Sequence, residues 1–472
     1  MITIPGIEKK KIAVFGLGAT GLSTCEALSA SGAEVFAWDE KEEARDATRN
    51  TRYGAEHPKD WPWKEIKSLA LSPGVPLTHP APHAIVRKAH QEGVEIIGDI
   101  EFFARAVNAL PKRERPRIVA ISGSNGKSTT TALIGQLLKE TGRDTAVGGN
   151  IGKPVLSLPD LRGDRIYVLE LSSYQLDLAK TLRANTAVLL NLSHDHIDRH
   201  GDMEGYVAAK RRIFLNQEVD DTAVIGVDDP FSQGVCAWLL AQNPKRKVVP
   251  ISSEGALGRG VFALSGKLYY SLGENSGVAG DISSITALRG VHNWQNAAAA
   301  LAAAIAEGVA PNLAVMAMER FQGLPHRMEL VARKANVSFV NDSKATNADA
   351  AMRALKSFKN IYWIAGGKAK EGGVSSLRPL MDNVKGVYLI GDAAVQFEQQ
   401  LAGAAPCIQC GDLPSAISRA ARDASRGGDH GESVILLSPA CASFDQFRNF
   451  EERGDVFRKL ARQIEAMNGE AA

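Results

Sequence analysis

Between residues 118 and 139 the chain runs from an apolar, β-branched stretch (118–122) directly into Gly123-Ser124-Asn125-Gly126-Lys127-Ser128-Thr129, and then into a segment predicted to be helical over 129–139. A strand that empties through a glycine-rich loop into a helix N-terminus is half of a βαβ unit, and its next parallel strand needs a crossover that covers the sheet. The loop carries its own chemistry. Backbone N–H groups and the helix dipole favour an anion, Lys127 adds a point charge, and the Ser128 hydroxyl can ligate Mg²⁺. The segment therefore implies a triphosphate site, with ATP as the expected ligand and a plain helix-capping turn as the alternative. Its spacing is unusual: the common phosphate loop has a glycine five residues before the Gly-Lys pair, where this chain has Ile121.

A second glycine loop stands near the start. Residues 11–15 read as a strand, 22–30 as a helix closed by Gly32, and 34–38 as a second strand. Between the first two lies Gly16-Leu17-Gly18-Ala19-Thr20-Gly21, and Asp39 follows the second strand, where a ribose-binding acid sits in dinucleotide folds. The physics asks only that a helix N-terminus receive a diphosphate. Three readings stay open here: a nucleotide diphosphate sugar, NAD, or a purely structural tight turn.

With 472 residues the chain exceeds one ordinary core. The charged, proline-bearing stretch 108–117 and the break near Gly323-Leu324-Pro325 suggest three α/β domains at 1–107, 108–323 and 324–472. The first and last are expected to be Rossmann-like, and the central one a phosphate-loop domain with a mostly parallel sheet. Hydrophobic residues make up 44% and charged residues 23%, the balance of a globular protein. The 55 basic and 53 acidic residues are interspersed, so nothing predicts a nucleic-acid partner or membrane insertion. An odd count of five cysteines fits a reducing compartment, and the Cys407/Cys410 pair lacks the partners of a zinc or redox site. With neither a signal-like N-terminus nor a long apolar run, a cytoplasmic location is expected.

Other polar clusters follow predicted strands. Glu170 ends the strand predicted over 166–171, where an acid beside a phosphate loop suggests Mg²⁺. Residues 191–200 pack His194, Asp195, His196, Asp198 and His200 together, a pattern that a zinc site would also satisfy, although no cysteine joins it. Lys210 reads as an ordinary helical lysine on a solvated face. Asn293 precedes the Ala-rich helix predicted over 296–306 and is a natural N-cap. The groups around Arg327 and Asp342-Ser343-Lys344 are dense enough to favour a ligand, though each alone is able to cap or turn.

Taken in order, the loop at Gly123, Gly149-Asn150-Ile151-Gly152, Glu170-Leu171-Ser172-Ser173, Asp195-His196-Ile197-Asp198-Arg199, His292-Asn293, Leu324-Pro325-His326-Arg327 and Asn341-Asp342-Ser343-Lys344-Ala345-Thr346-Asn347 resemble the Mur ligases. The likeness covers nearly the whole chain, and the shortened loop spacing is that family's own pattern. The segment Leu437-Ser438-Pro439-Ala440-Cys441-Ala442-Ser443-Phe444-Asp445-Gln446-Phe447, with Ser72-Pro73-Gly74-Val75, narrows it to the members that add D-glutamate.

The resemblance implies an ATP-dependent amide ligase of peptidoglycan precursor synthesis. It would act on UDP-N-acetylmuramoyl-L-alanine and D-glutamate through an acyl phosphate, as a cytoplasmic monomer. Sibling Mur ligases and folylpolyglutamate synthases share the ATP machinery and are the alternatives. By the same likeness Lys127, Glu170, His196 and Lys210 are catalytic. Two Mg²⁺ ions are implied, one on Ser128 and Glu170 and one on His196 and a carbamylated Lys210. ATP contacts fall on residues 123 to 129 (Gly123, Ser124, Asn125, Gly126, Lys127, Ser128, Thr129) and on Asn293, Arg327, Asp342 and Lys344. The UDP-sugar falls on Ala19, Thr20, Asp39, Ser72, Asn150 and Gln175, and D-glutamate on Thr346, Lys370, Ser443, Phe444 and Phe450.

Overall fold

The computed structural model describes residues 1–369, 372–426 and 431–466, so Lys370 lies outside the described residues. Among the described residues three sheets form, in the three-domain α/β arrangement expected. They gather into two compact units, Met1–Ile282 with Gln295–Glu319, and Ser283–Trp294 with Arg320–Ala472.

In the first unit, the N-terminal sheet has four parallel strands in the order Glu34–Trp38, Lys11–Phe15, Ile66–Leu71, Glu95–Ile97. The central sheet has nine strands. Its parallel part runs Lys247–Ser252, Thr222–Gly226, Thr186–Leu189, Arg117–Ser122, Ile166–Glu170, Thr145–Gly149. The central strands read as near-continuous apolar runs because helices cover both faces. Beyond Lys247–Ser252 come Gly260–Leu264, Lys267–Leu272 and Asn275–Asp281, the last two joined antiparallel. That meander is not foreseen from sequence.

The two sheets of this unit share one apolar core. It runs from Ile12 and Val14 through Ile100 and Phe103 to Tyr167, Leu169 and Leu189. Glu101, on the helix Asp99–Ala109, seals the joint. Its fully buried carboxylate accepts from the backbone N–H of Lys180 (2.6 Å) and Thr181 (2.8 Å) and from Arg105 Nε (2.8 Å). A buried carboxylate persists only when its lone pairs are taken up in this way.

The second unit holds six strands, in the order Glu329–Lys334, Val337–Asn341, Ser433–Leu437, Ile361–Gly366, Val384–Ile390, Cys407–Gly411. Only the first pairs antiparallel. The C-terminal helix Phe450–Ala466 lays Arg453, Gly454, Phe457 and Ala461 inward at helical spacing. Among the described residues no helix is long and apolar enough to cross a membrane.

Candidate active site

The loop 123–126 bridges the strand Arg117–Ser122 and the helix Lys127–Glu140. Two glycines make the turn possible. Gly123 has φ +149° and Gly126 has φ +85°, and a Cβ on Gly126 would lie 2.2 Å from Asn296 Oδ1. Asn191, just past the strand Thr186–Leu189, braces the loop: its carbonyl accepts from Ser124 N (2.8 Å) and its Oδ1 from Asn125 N (3.0 Å). The Lys127 ammonium donates to the Gly123 and Ser124 carbonyls, each at 2.8 Å. Ser128 and Thr129 occupy the first helical turn, at the positive end of the dipole. The helix begins two residues earlier than expected, which brings Lys127 into it.

Lys210 is the largest departure from a plain reading of the sequence. It sits on the helix Met203–Arg211 but is 1% exposed, and its Nζ donates to Gly123 O at 2.9 Å and to Ser122 Oγ at 3.4 Å. The solvated face expected for it is wrong because the helix lies across the end of the central sheet. Burial first, and the nearby Lys127 charge second, push its pKa well below the usual lysine value. The ring of Tyr206, fully buried, lies 4.8 Å beneath its Nζ.

Glu170 ends its strand at 2% exposure. One oxygen accepts from Asn150 Nδ2 at 3.0 Å, and the other, Oε2, is buried with no hydrogen-bond partner among the described residues. A buried carboxylate oxygen left without a donor suits a hard cation with oxygen ligands. Lys210 as an ammonium does not fit such a cation, whereas as a carbamate anion it does. His196 takes a left-handed backbone (φ +55°) at the start of the short helix Ile197–His200, with its ring 5.0 Å from that of Tyr174. Among the described residues no group of three or more His, Cys, Asp or Glu is gathered as for a metal ion.

At the N-terminal sheet, Asp39 spends its carboxylate on the loop itself. Oδ2 accepts from Leu17 N at 2.6 Å and Oδ1 from Lys41 N at 2.8 Å. Ser72 Oγ donates to Gly16 O at 2.8 Å, while Ala19 and Thr20 open the helix Ala19–Ala30. All four cluster at the carboxyl ends of neighbouring strands, where open α/β sheets bind ligands. Gln175 is mostly committed locally, closing a capping box with Ser172.

In the second unit, Asp342 follows the strand Val337–Asn341, and its oxygens accept from Ser438 Oγ (2.8 Å) and Met328 N (3.2 Å). Burial raises its pKa to about 7. Lys344 Nζ lies 3.7 Å over the ring of Phe450, so the residues implied for ATP and for D-glutamate meet at one sheet end. Arg327 adds its charge to Asp342's surroundings. Thr346 N donates to Lys344 O at 2.9 Å, Ser443 is buried, and Phe444 is 71% exposed. Asn293 is not an N-cap: the helix Val291–Ala306 starts before it, and its Nδ2 donates back to Arg289 O at 2.9 Å.

Sequence reasoning misses Arg453, a 1% exposed arginine holding together Ser343 and Cys441 by hydrogen bonds to Ser343 Oγ (3.0 Å), Ser343 O (2.9 Å) and Cys441 O (3.1 Å). A charge placed on the apolar stripe of an amphipathic helix is the signal that reveals it. Tyr206 is also missed, and its hydroxyl lies 3.0 Å from Ser124 Oγ; a tyrosine in a helix carries no such signal.

Three family matches tile the chain: "Mur ligase MurD-like, N-terminal domain" over residues 10–98, "Mur ligase middle domain" over 121–304, and "Mur ligase, glutamate ligase domain" over 326–441. The chain is 55% identical over 458 residues to the UDP-N-acetylmuramoylalanine–D-glutamate ligase of Caulobacter sp. (strain K31), covering 97% of each chain. It is 51% identical to the ligase of the same name from Phenylobacterium zucineum, over 100% of both. Among solved structures it shares a fold with UDP-N-acetylmuramate–alanine ligase MurC of Thermotoga maritima (TM-score 0.57, 17% identity, 96% and 99% covered). The same holds for MurF of Acinetobacter baumannii (TM-score 0.57, 19% identity, 98% and 95% covered).

Proposed function

The chain belongs to the Mur ligase family, and from that premise we propose that it joins D-glutamate to UDP-N-acetylmuramoyl-L-alanine with cleavage of one ATP, a step in building peptidoglycan precursors. The observation that carries this reading is the full-length identity of 51% to 55% with ligases of that name. A carboxylate is a poor electrophile, so an oxygen of the L-alanine carboxylate attacks the γ-phosphorus, the bond to ADP breaks, and an acyl phosphate forms. The D-glutamate amine then attacks the acyl carbon, phosphate leaves, and the amine nitrogen loses its proton.

The roles proposed for this chain's residues come from the family likeness, and their surroundings support them. The loop from Gly123 to Thr129 cradles the phosphates, and Lys127 is proposed to swing from its two loop carbonyls to the moving phosphoryl group. Ser128 and Glu170 are proposed to hold one Mg²⁺, supported by the buried Glu170 Oε2 that has no partner among the described residues, and His196 with Lys210 a second. When bound, the metal neutralises charge on the phosphate oxygens. Carbamylation of Lys210 is supported by its burial against backbone carbonyl and hydroxyl groups, a place that suits a neutral amine able to add CO₂ with loss of one proton.

Asn150 and Gln175, with Ala19, Thr20, Asp39 and Ser72, are assigned to the UDP-sugar. Asn293, Arg327, Asp342 and Lys344 are assigned to ATP, and Thr346, Lys370, Ser443, Phe444 and Phe450 to D-glutamate. A cytoplasmic monomer is proposed, which sedimentation and fractionation check. The deciding assay offers the protein ATP, Mg²⁺, UDP-N-acetylmuramoyl-L-alanine and single amino acids. Phosphate release with D-glutamate is expected; release with another amino acid and none with D-glutamate would move the chain to a sibling activity.

A further inference from the structure

Arg199 ties two loops of the first unit together. Its backbone N–H donates to His196 O at 3.0 Å, so it is fixed to the turn that carries His196. Its guanidinium leaves that turn and donates to three successive carbonyls of the loop after the strand Ile66–Leu71: Pro73 (3.3 Å), Gly74 (2.9 Å) and Val75 (3.0 Å). These acceptors are backbone, so the contact reports where the loop lies and not what charge it carries. Successive carbonyls converge on one group only in a turned conformation, which the bond from Val75 N to Ser72 O (3.0 Å) closes.

The contacts continue inward. The guanidinium lies 4.6 Å from the centre of the Tyr174 ring, and that ring packs against His196 (5.0 Å) and His200 (5.5 Å). His200 faces Tyr206 at 5.5 Å, and the Tyr206 hydroxyl reaches Ser124 Oγ in the glycine loop at 3.0 Å. An unbroken set of packed groups thus runs from Ser72 and its loop to His196 and the phosphate loop.

We propose that Arg199 is a positioning residue that couples occupancy of the loop 72–75 by the sugar nucleotide to the placement of His196 and the glycine loop. This rests on the reading above that Ser72 and its neighbours take the UDP-sugar. The planar fork of arginine spans three carbonyls at once, and a lysine in its place reaches one or two.

The test is amide hydrogen exchange on the full chain, for wild type, Arg199→Lys and Arg199→Met, with and without UDP-N-acetylmuramoyl-L-alanine, beside steady-state kinetics. In wild type the nucleotide slows exchange over both 72–75 and 195–200. In the variants it slows only 72–75, kcat falls about 10-fold, and KM for D-glutamate stays within about 2-fold. The lysine variant keeps the charge and serves if the methionine variant folds poorly. Protection of 195–200 in the variants equal to wild type, or an unchanged kcat, overturns the coupling while leaving the substrate reading intact. Absence of protection at 72–75 in wild type overturns the substrate reading and the coupling with it.

Discussion

The Nζ of Lys210 lies 2.9 Å from the carbonyl oxygen of Gly123, so the lysine of one helix is hydrogen-bonded to the first residue of the phosphate loop. At 1% exposure it is no surface cation, and the carbamate proposed for it has a direct test. Lys210→Ala is expected to lower ligation by at least about 10²-fold, the scale of losing a preorganised electrostatic group. Short carboxylates such as acetate or formate should partly restore it by standing in for the carbamate. Full activity in the alanine variant, with no effect of added carboxylate, sinks the assignment.

Gly126 allows the loop to turn beneath Asn296. Gly126→Ala forces a left-handed residue and a 2.2 Å approach to Asn296 Oδ1, a conformational cost of about 1–3 kcal/mol before the clash is counted. ATP binding, followed by calorimetry, is expected to weaken at least 10-fold, with the melting temperature lowered. Unchanged ATP affinity would show that the loop tolerates the Cβ and does not cradle the phosphates.

Asp99 is a stability liability above neutral pH. It is buried, neither carboxylate oxygen has a hydrogen-bond partner among the described residues, and burial raises its pKa to about 6, opposed by the nearby Ile100 N–H and Gln175 amide. A raised folded-state pKa contributes stability that is complete below the unfolded value near 4 and is lost as pH rises through about 6. Asp99→Asn is therefore expected to raise stability at pH 8 by about 1–3 kcal/mol and to change it little at pH 4. Thermal melts at the two pH values check this, and equal shifts at both would contradict it.

Arg453 holds the segment around Ser343 to the segment around Cys441, which flank Lys344, Thr346 and Ser443. Arg453→Lys keeps a charge but drops donors, leaving one or two buried carbonyls unpaired at about 1–3 kcal/mol each. The melting temperature should fall and KM for D-glutamate should rise about 10-fold, because the pocket loops lose their common anchor. If KM for D-glutamate is unchanged while stability falls, Arg453 serves the fold alone.

Much of the architecture is legible in the chain itself. The strands Lys11–Phe15 and Glu34–Trp38 coincide with the predicted runs, because each is a short β-branched and aromatic stretch bounded by turn residues. The strand Asn275–Asp281 escapes notice because its residues are mostly small and exposed. Helix starts drift by two to five residues at Lys127, Ala19 and Val291, since the first helical turn draws on caps and packing more than on periodicity.

By itself the sequence determined that residues 123–129 carry the chain from a strand into a helix N-terminus, because an apolar β-branched run, glycines and a helix-forming segment follow one another in that order. It also determined the family, through motifs spread over nearly the whole length. Only the tertiary structure decided that Lys210 is buried against Gly123, that Glu170 keeps an oxygen without a partner among the described residues, and that Arg199 grips the loop after Ser72. Those facts depend on which elements pack across the carboxyl ends of the strands, between residues tens of positions apart. Burial and hydrogen-bond partners belong to that packing, and local sequence carries neither.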